Sequence, residues 1–381
     1  MTSAHAPRTE DPDPSASIQE GVPDDGTKFR LSQLFKLGPF GNDHFVGYRV
    51  GAGVLVPLLA LILLDRIDLA VYAVFGAFVG IYSRAPLHTD RLATQIKAAA
   101  LTWVIILAAW FTGDAVVHGA TDPSTRWWLV GVTAVVASLS SILTAFLRLR
   151  PAGSLFQVFA FAAVASVPHQ APLSEAMLTV TATMFLGLIL GQIGRVVPKY
   201  RTQRRLSDVK PFSARMRRAI WQEGLANLTA AGLAGAVAAL VAEPLNMGHI
   251  YWAMVAGVVP LAGHTTGKRM VRAVHRVLGT AVGLGVMALI ILLQPAPWLA
   301  VVLIGLSQFA VECFVIRNYF WGMVFVTPLA LIGTSLGRQM DFDVLYDRAV
   351  ETAIGLVVGL IVVETMDRIG AMSLRREERV G

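Results

Sequence analysis

Leu345-Tyr-Asp-Arg-Ala-Val-Glu-Thr-Ala-Ile-Gly-Leu-Val-Val-Gly-Leu-Ile-Val-Val-Glu-Thr-Met366 is a stretch long enough to cross a bilayer, and its reading decides the fold. A transmembrane helix needs about 20 mostly apolar residues. Here charge is confined to Asp347, Arg348 and Glu351 near one end and Glu364 near the other. The whole chain has the same character. Of 381 residues 55% are apolar and 15% are charged, and the mean hydropathy is +0.61. Soluble domains carry about 25% charged residues, so this chain is too poor in charge to wet a large globule. Continuous rather than alternating apolar runs exclude a transmembrane β-barrel. The reading is an all-α, polytopic membrane protein, which excludes a soluble enzyme and a single-anchor receptor. Cys313 is the one cysteine, so neither an intrachain disulfide nor a thiolate metal cage is expected. No cofactor is implied.

Working outward from 345–366, eleven further spans are read. In the first half they cover 46–64, 67–82, 93–111, 127–147, 153–168 and 173–194. In the second they cover 219–242, 247–262, 272–293, 297–315 and 318–336. The spans at 67–82, 153–168 and 247–262 are short, which suits helices packed inside the protein, helices tilted less, or local thinning of the bilayer. With the N-terminus inside, 28 of the 32 Lys and Arg residues fall in inside segments and 4 outside. This asymmetry sets orientation and predicts cytoplasmic N- and C-termini. The net charge of +7 is therefore an inner coat, not a nucleic-acid signature.

The opening stretch has a counterpart. Gly355-Leu-Val-Val-Gly359 matches Gly187-Leu-Ile-Leu-Gly191 at an offset of 168, Trp298-Leu299 matches Trp128-Leu129 at 170, and Tyr251 matches Tyr72 at 179. At that last offset Arg276 falls on Lys97. About twelve helices therefore divide into two six-helix repeats. Six is even, so both repeats enter with the same orientation and are related by an axis along the membrane normal. The expected organisation is a disordered tail with an interfacial helix over 1–45, the first repeat over 46–194, a basic cytoplasmic linker over 195–218, the second repeat over 219–366, and a cytoplasmic tail over 367–381. The linker would attract anionic lipids by about 1 kcal/mol per near-surface cation.

The second half carries a recognisable order. Tyr251-Trp-Ala-Met-Val precedes Gly263-His-Thr-Thr-Gly-Lys-Arg269, then Arg276-Val-Leu-Gly-Thr280, Phe325-Val-Thr-Pro328 and Asp347-Arg-Ala-Val-Glu-Thr-Ala-Ile-Gly355. This order resembles the fusaric acid resistance (FUSC) family, which includes bacterial aromatic acid exporters and is related to plant malate channels. The resemblance covers about 248–360 and is fainter over 47–194, where Ala100-Leu-Thr102 stands in place of Gly-Thr. Many members carry a large cytoplasmic domain between the halves, and this chain has only the short linker. The resemblance implies a multi-pass inner-membrane exporter of small organic, often aromatic, anions, with no enzymatic activity.

Ionisable groups at membrane depth are costly and mark pathways or buried pairs. Glu312, well inside the tenth span, is the first candidate. It is either a proton carrier for substrate exchange or a structural partner of Arg317 or Arg276. Lys97 and Arg276 are read as cations at the cytoplasmic mouth or as interfacial positive charge. Asp347, Arg348 and Glu351 enter the twelfth span from outside. Arg348 and Glu351, three apart, share a face, as an outer gate or as a helix opening. Arg317, Tyr319 and Trp321 place aromatic faces beside a cation, which suits a planar acid or an interfacial belt. Gly187, Gly191, Gly355 and Gly359 are small-residue faces for close packing. The 263–269 loop has the wrong glycine spacing for a phosphate-binding loop and lacks its Ser or Thr, so no nucleotide drive is expected. Three functions stay open: a proton-coupled exporter, a passive organic-anion channel, and a membrane scaffold or lipid-binding protein without a transport cycle. The partners implied are a small organic anion and anionic lipid, with no nucleic acid; a homo-oligomer is left open.

Overall fold

The computed structural model describes residues 35–39, 41, 43–82, 84, 87–118, 124–166, 171–196, 211–242, 244–245, 247, 250–262, 266–336 and 341–380, with backbone alone at 114–118, 124, 266–270 and 369–380. The expected tail over 1–34 and most of the basic linker, 197–210, lie outside these residues. Among the described residues there are twelve α-helices and no strand. They are α1 (Asp43–Leu63), α2 (Ala70–Ala77), α3 (His88–His118), α4 (Ser124–Phe146), α5 (Leu155–Ala165), α6 (Leu173–Gln192), α7 (Ala214–Ala242), α8 (Tyr251–Gly257), α9 (Thr266–Leu293), α10 (Pro297–Phe314), α11 (Tyr319–Ser335) and α12 (Asp343–Val380). Short 3-10 turns flank α2 at Ile67–Leu69 and Phe78–Ile81, and another, Pro260–Ala262, follows α8. The final helix does not stop at 366. It runs on to Val380, through residues read from sequence as a tail.

Eight helices are long and apolar enough to cross a membrane; the other four apolar segments, Ile67–Ile81, Leu155–Ala165, Tyr251–Ala262 and Tyr319–Ser335, are shorter. Packing explains the difference. Every residue of α8 is buried, as are seven of the eight in α2 and eight of the eleven in α5. These helices are surrounded by protein, so they have no lipid thickness to match. The long helices form the outer shell and present Leu63, Trp127, Trp128, Leu178, Phe185, Leu240, Leu289, Trp298 and Ile361 outward. Inside lie Gln95, Gln157, Gln308, Glu312, Arg348 and Glu351. Apolar side chains outside and ionisable ones inside reverse the arrangement that water selects and match that of helices in lipid.

Helix packing follows a regular scheme. α1 packs on α10 and α4 on α7; α3 on α5 and α9 on α11; α2 on α6 and α8 on α12; α1 on α6 and α7 on α12. Glycine permits the closest of these approaches. A Cβ at Gly355 would collide with the carbonyl oxygen of Ala253, and one at Gly359 with that of Gly257, so α12 lies directly on α8. A Cβ at Gly187 would likewise come within 2.8 Å of the Val79 side chain, and one at Gly191 would run into the Gln95 amide.

Loop contacts place helix ends side by side. Asp43 at the start of α1, Arg84 after α2 and Glu312 near the end of α10 form one ion-paired group. Arg148 after α4 stacks over Phe212 just before α7, 4.2 Å from the ring centre. On the other side Arg66, after α1, pairs with Asp68 and with Glu175 in the first turn of α6. α1 closes with the Schellman pattern, Asp65 left-handed at φ 54° and Arg66 N–H bonding back to Leu61.

Candidate functional site

α12 brings two ionisable groups into the core, one helical turn apart. Arg348 and Glu351 are both 0% exposed. They are held there because α12 packs through Gly355 and Gly359 so close to α8 that the first turns of α12 lie against its start. The Arg348 guanidinium carbon sits 3.6 Å from the ring centre of Trp252 on α8. This is a stacked cation–π contact, worth about 2 kcal/mol or more when desolvated. Among the described residues, none of the three Arg348 side-chain nitrogens has a hydrogen-bond acceptor, and neither Glu351 oxygen has a side-chain donor. Thr352 Oγ1, next to Glu351 on α12, and Thr280 Oγ1 on α9 are also buried without a partner among the described residues.

α9 adds further cations. Arg272 and Arg276 are four apart, on one face. Arg276 is buried and its Nη1 approaches the Tyr319 hydroxyl at 3.4 Å and Met323 Sδ at 3.6 Å. Arg272 stacks over the Tyr319 ring at 4.5 Å. Arg276, Glu351, Tyr251 and Tyr319 all lie within electrostatic reach of Arg348. Tyr251 in turn pairs with Thr334. Tyr319 opens α11 and Thr334 nearly closes it, so the polar string runs the length of that helix, about 25 Å at 1.5 Å per residue. Polar groups strung through most of a bilayer core have the chemistry of an anion path: fixed cations, aromatic faces and hydroxyls, with a carboxylate beside the central arginine.

The structure therefore gathers Arg348, Glu351, Arg276 and Tyr319, with Asp347 buried one residue before Arg348. It places the other sequence candidates elsewhere. Lys97 is exposed on α3, unlike the buried Arg276 that it matches by offset. Trp321 is half-buried against Phe320, 5.0 Å between ring centres. Arg317 donates from Nε to the carbonyl of Gly38 at 3.0 Å, and Gly38 N–H returns to the Arg317 carbonyl at 3.0 Å. With the Asn318 amide on the Lys36 carbonyl and Phe35 edge-on to Phe320, it anchors residues 35–38.

Glu312 has neither of the partners considered from sequence. Its Oε2 accepts from Arg84 Nη2 at 2.5 Å and its Oε1 from Gln308 Nε2 at 3.0 Å. Arg317 is turned to Gly38, and Arg276 faces α11, so Arg84 from the first half takes the carboxylate. Arg84 also holds Asp43 at 3.1 Å. The group links α1, the α2–α3 connection and α10.

Residues 235–362 match the family model of fusaric acid resistance protein-like proteins. The FUSC resemblance read from the motif order is thereby shown, over the region that carries Trp252, Arg276, Tyr319, Arg348 and Glu351. No curated protein and no solved structure matches the chain. The FUSC match over this region and the eight helices long and apolar enough to cross a membrane are those expected of a multi-pass membrane protein.

Two residues of the FUSC-region site were not singled out as functional from sequence. Trp252 and Tyr251 stand in the quoted motif, but nothing in a run of apolar residues says that the ring of Trp252 meets an arginine 96 positions later. Arg84 counted as one of many inside charges.

Proposed function

We propose that the protein is a secondary exporter of small organic anions, with aromatic acids the best fit, coupled to the proton gradient across a bacterial inner membrane. The observation that carries the reading is Arg348: buried, stacked on Trp252 and without an acceptor among the described residues. A carboxylate would complete its hydrogen bonds, and a planar ring attached to that carboxylate would lie among Trp252, Tyr251 and Tyr319. Arg272 and Arg276 provide a cationic approach from the side on which α9 begins.

The proton is assigned to Glu351 rather than to Glu312. Glu312 is engaged by Arg84 and Gln308 at both oxygens. Glu351 is beside the anion's arginine with no side-chain donor. A neutral Glu351 leaves Arg348 free for substrate, and an ionised one competes for it, which links proton and anion occupancy.

The arrangement as two six-helix repeats with both termini cytoplasmic is part of the same proposal. The paired packing of α1–α10 with α4–α7, α2–α6 with α8–α12 and α3–α5 with α9–α11 supports it. So do the shared positions of the buried helices, second and fifth in each half.

Labelled benzoate flux in proteoliposomes tests the reading. Arg348→Gln is expected to lower flux at least tenfold, and Glu351→Gln to keep benzoate exchange while losing its dependence on a pH gradient. Wild-type flux in Arg348→Gln would sink the proposal. A passive channel is the second reading, favoured by the polar groups that follow one another from Arg272 to Thr334. It predicts a benzoate current that survives collapse of the proton gradient.

A further inference from the structure

Trp252 meets aromatic and cationic neighbours from both halves of the chain. The Arg348 guanidinium carbon lies over its ring, 3.6 Å from the centre. At that separation the arginine uses the face of its guanidinium on the indole and keeps its N–H edges for a carboxylate. The direction of those edges therefore depends on the plane of the ring. Tyr251, the preceding residue of α8, lies 4.9 Å away between ring centres. The further neighbour comes from the first half. Phe159 on α5 packs against Trp252 with ring centres 4.7 Å apart and planes inclined by 41°, within the range of favourable aromatic pairs.

Phe159 is itself fixed from behind. Phe75 on α2 meets it edge-on, at 4.9 Å and 88°. Phe75 is 1% exposed and in turn meets Phe78 edge-on at 5.4 Å. Two residues before Phe159, Gln157 donates from Nε2 to the Tyr82 hydroxyl at 2.5 Å, and both side chains are buried. Tyr82 caps the 3-10 turn after α2, so this bond ties α5 to that turn and sets its register. Phe159 thus stands on a packed framework of the first half, while the ring that it touches belongs to the Arg348 site. The support runs one way. At the offset of 179 Trp252 corresponds to Ala73 on α2, so α2 offers no ring at the matching place.

We propose that Phe159 is a positioning residue of the Arg348 site: it holds the Trp252 ring in the plane that aims the N–H edges of the arginine at an anion. The proposal rests on the reading of Arg348 as an anion-binding group. It adds the first half of the chain to a site otherwise built from α8, α9, α11 and α12. A movement of the halves that separated α5 from α8 would release the ring and loosen the anion, so affinity follows the contact between the halves.

Equilibrium binding of labelled benzoate to the full chain in a maltoside detergent tests this. Phe159→Leu removes the ring and keeps much of its volume; it is expected to weaken binding about threefold to tenfold, the range that an aromatic pair contributes. Phe159→Tyr keeps the ring and is expected to bind as the natural chain does. In a Trp252→Leu background, itself weakened, Phe159→Leu is expected to have no further effect, because the ring that it holds is gone. Such non-additivity marks residues that act through one another, and a merely structural role would not produce it. Phe75→Leu, one ring further back, is expected to weaken binding in the same direction and serves where Phe159→Leu does not fold. Benzoate affinity unchanged by Phe159→Leu and Phe75→Leu, or a loss that adds in full to that of Trp252→Leu, overturns the proposal and leaves the Arg348 reading standing. Absence of saturable binding to the natural chain overturns both, and is seen before any substitution is made.

Discussion

At the residue scale, Arg348 and Glu351 work against the stability of the protein that carries them. Taking a charge out of water without full hydrogen bonding costs several kcal/mol, and replacing buried ionic groups by apolar ones of similar volume is often stabilising by about 1–4 kcal/mol. The double variant Arg348→Met, Glu351→Leu is therefore expected to melt at a higher temperature in detergent than the natural chain and to transport nothing. A lower melting temperature with a folded, inactive product would mean that the pair serves packing rather than an anion. Glu312 is the contrasting case. It is 2% exposed, but Arg84 and Gln308 satisfy it, and its position between helices of the two halves gives it a structural task. Sequence could rank Glu312 first because depth in an apolar run is visible in one dimension. Whether a carboxylate is satisfied depends on an arginine 228 positions away.

At the element scale, the short helices organise the site. α2 and α8 are too short to span alone, and they hold their place because α6 and α12 press on them through glycine. The contact of Gly355 with the Ala253 carbonyl leaves no room for a methyl group. Gly355→Ala is expected to cost about 1–3 kcal/mol, as overpacking does, and to move Arg348 away from Trp252. The fraction of protein surviving a heating step in detergent reports the first effect, and a change in benzoate affinity the second. Unchanged values for both would show that α12 can shift without consequence. The spacing Gly-x-x-x-Gly marked a packing face in both halves. It did not say that α8 is the surface packed against, since a small-residue stripe carries no address for its partner.

At the scale of the whole molecule, side-chain contacts gather helix ends on two sides, and the charge count proposes which of them is inside. Arg148 beside Phe212, and Asp43 beside Arg84 and Glu312, gather helix ends from the segments rich in Lys and Arg. Arg66 and Glu175 meet on the opposite side. In a Cys313→Ala background, a cysteine at Leu64 is expected to react with an impermeant thiol reagent added to intact cells. A cysteine at Arg150 is expected to react only after permeabilisation. The reverse pattern would invert the topology. Leu64 and Arg150 are both exposed, so access to the side, not burial, decides the result.

The sequence by itself determined the solvent, the number and approximate limits of the helices, and the residues that do not belong in lipid. These follow from local composition: a run of about 20 apolar residues declares its medium, and a charge inside it declares an exception. It also carried the FUSC resemblance, through a motif order that the match over 235–362 upholds. The tertiary structure decided which exceptions meet. It set Arg348 on Trp252, moved Glu312 from Arg317 or Arg276 to Arg84, and left Lys97 on the surface. Such meetings depend on how helices distant in sequence pack, and side-chain periodicity within one helix carries no information about the helix that will lie beside it.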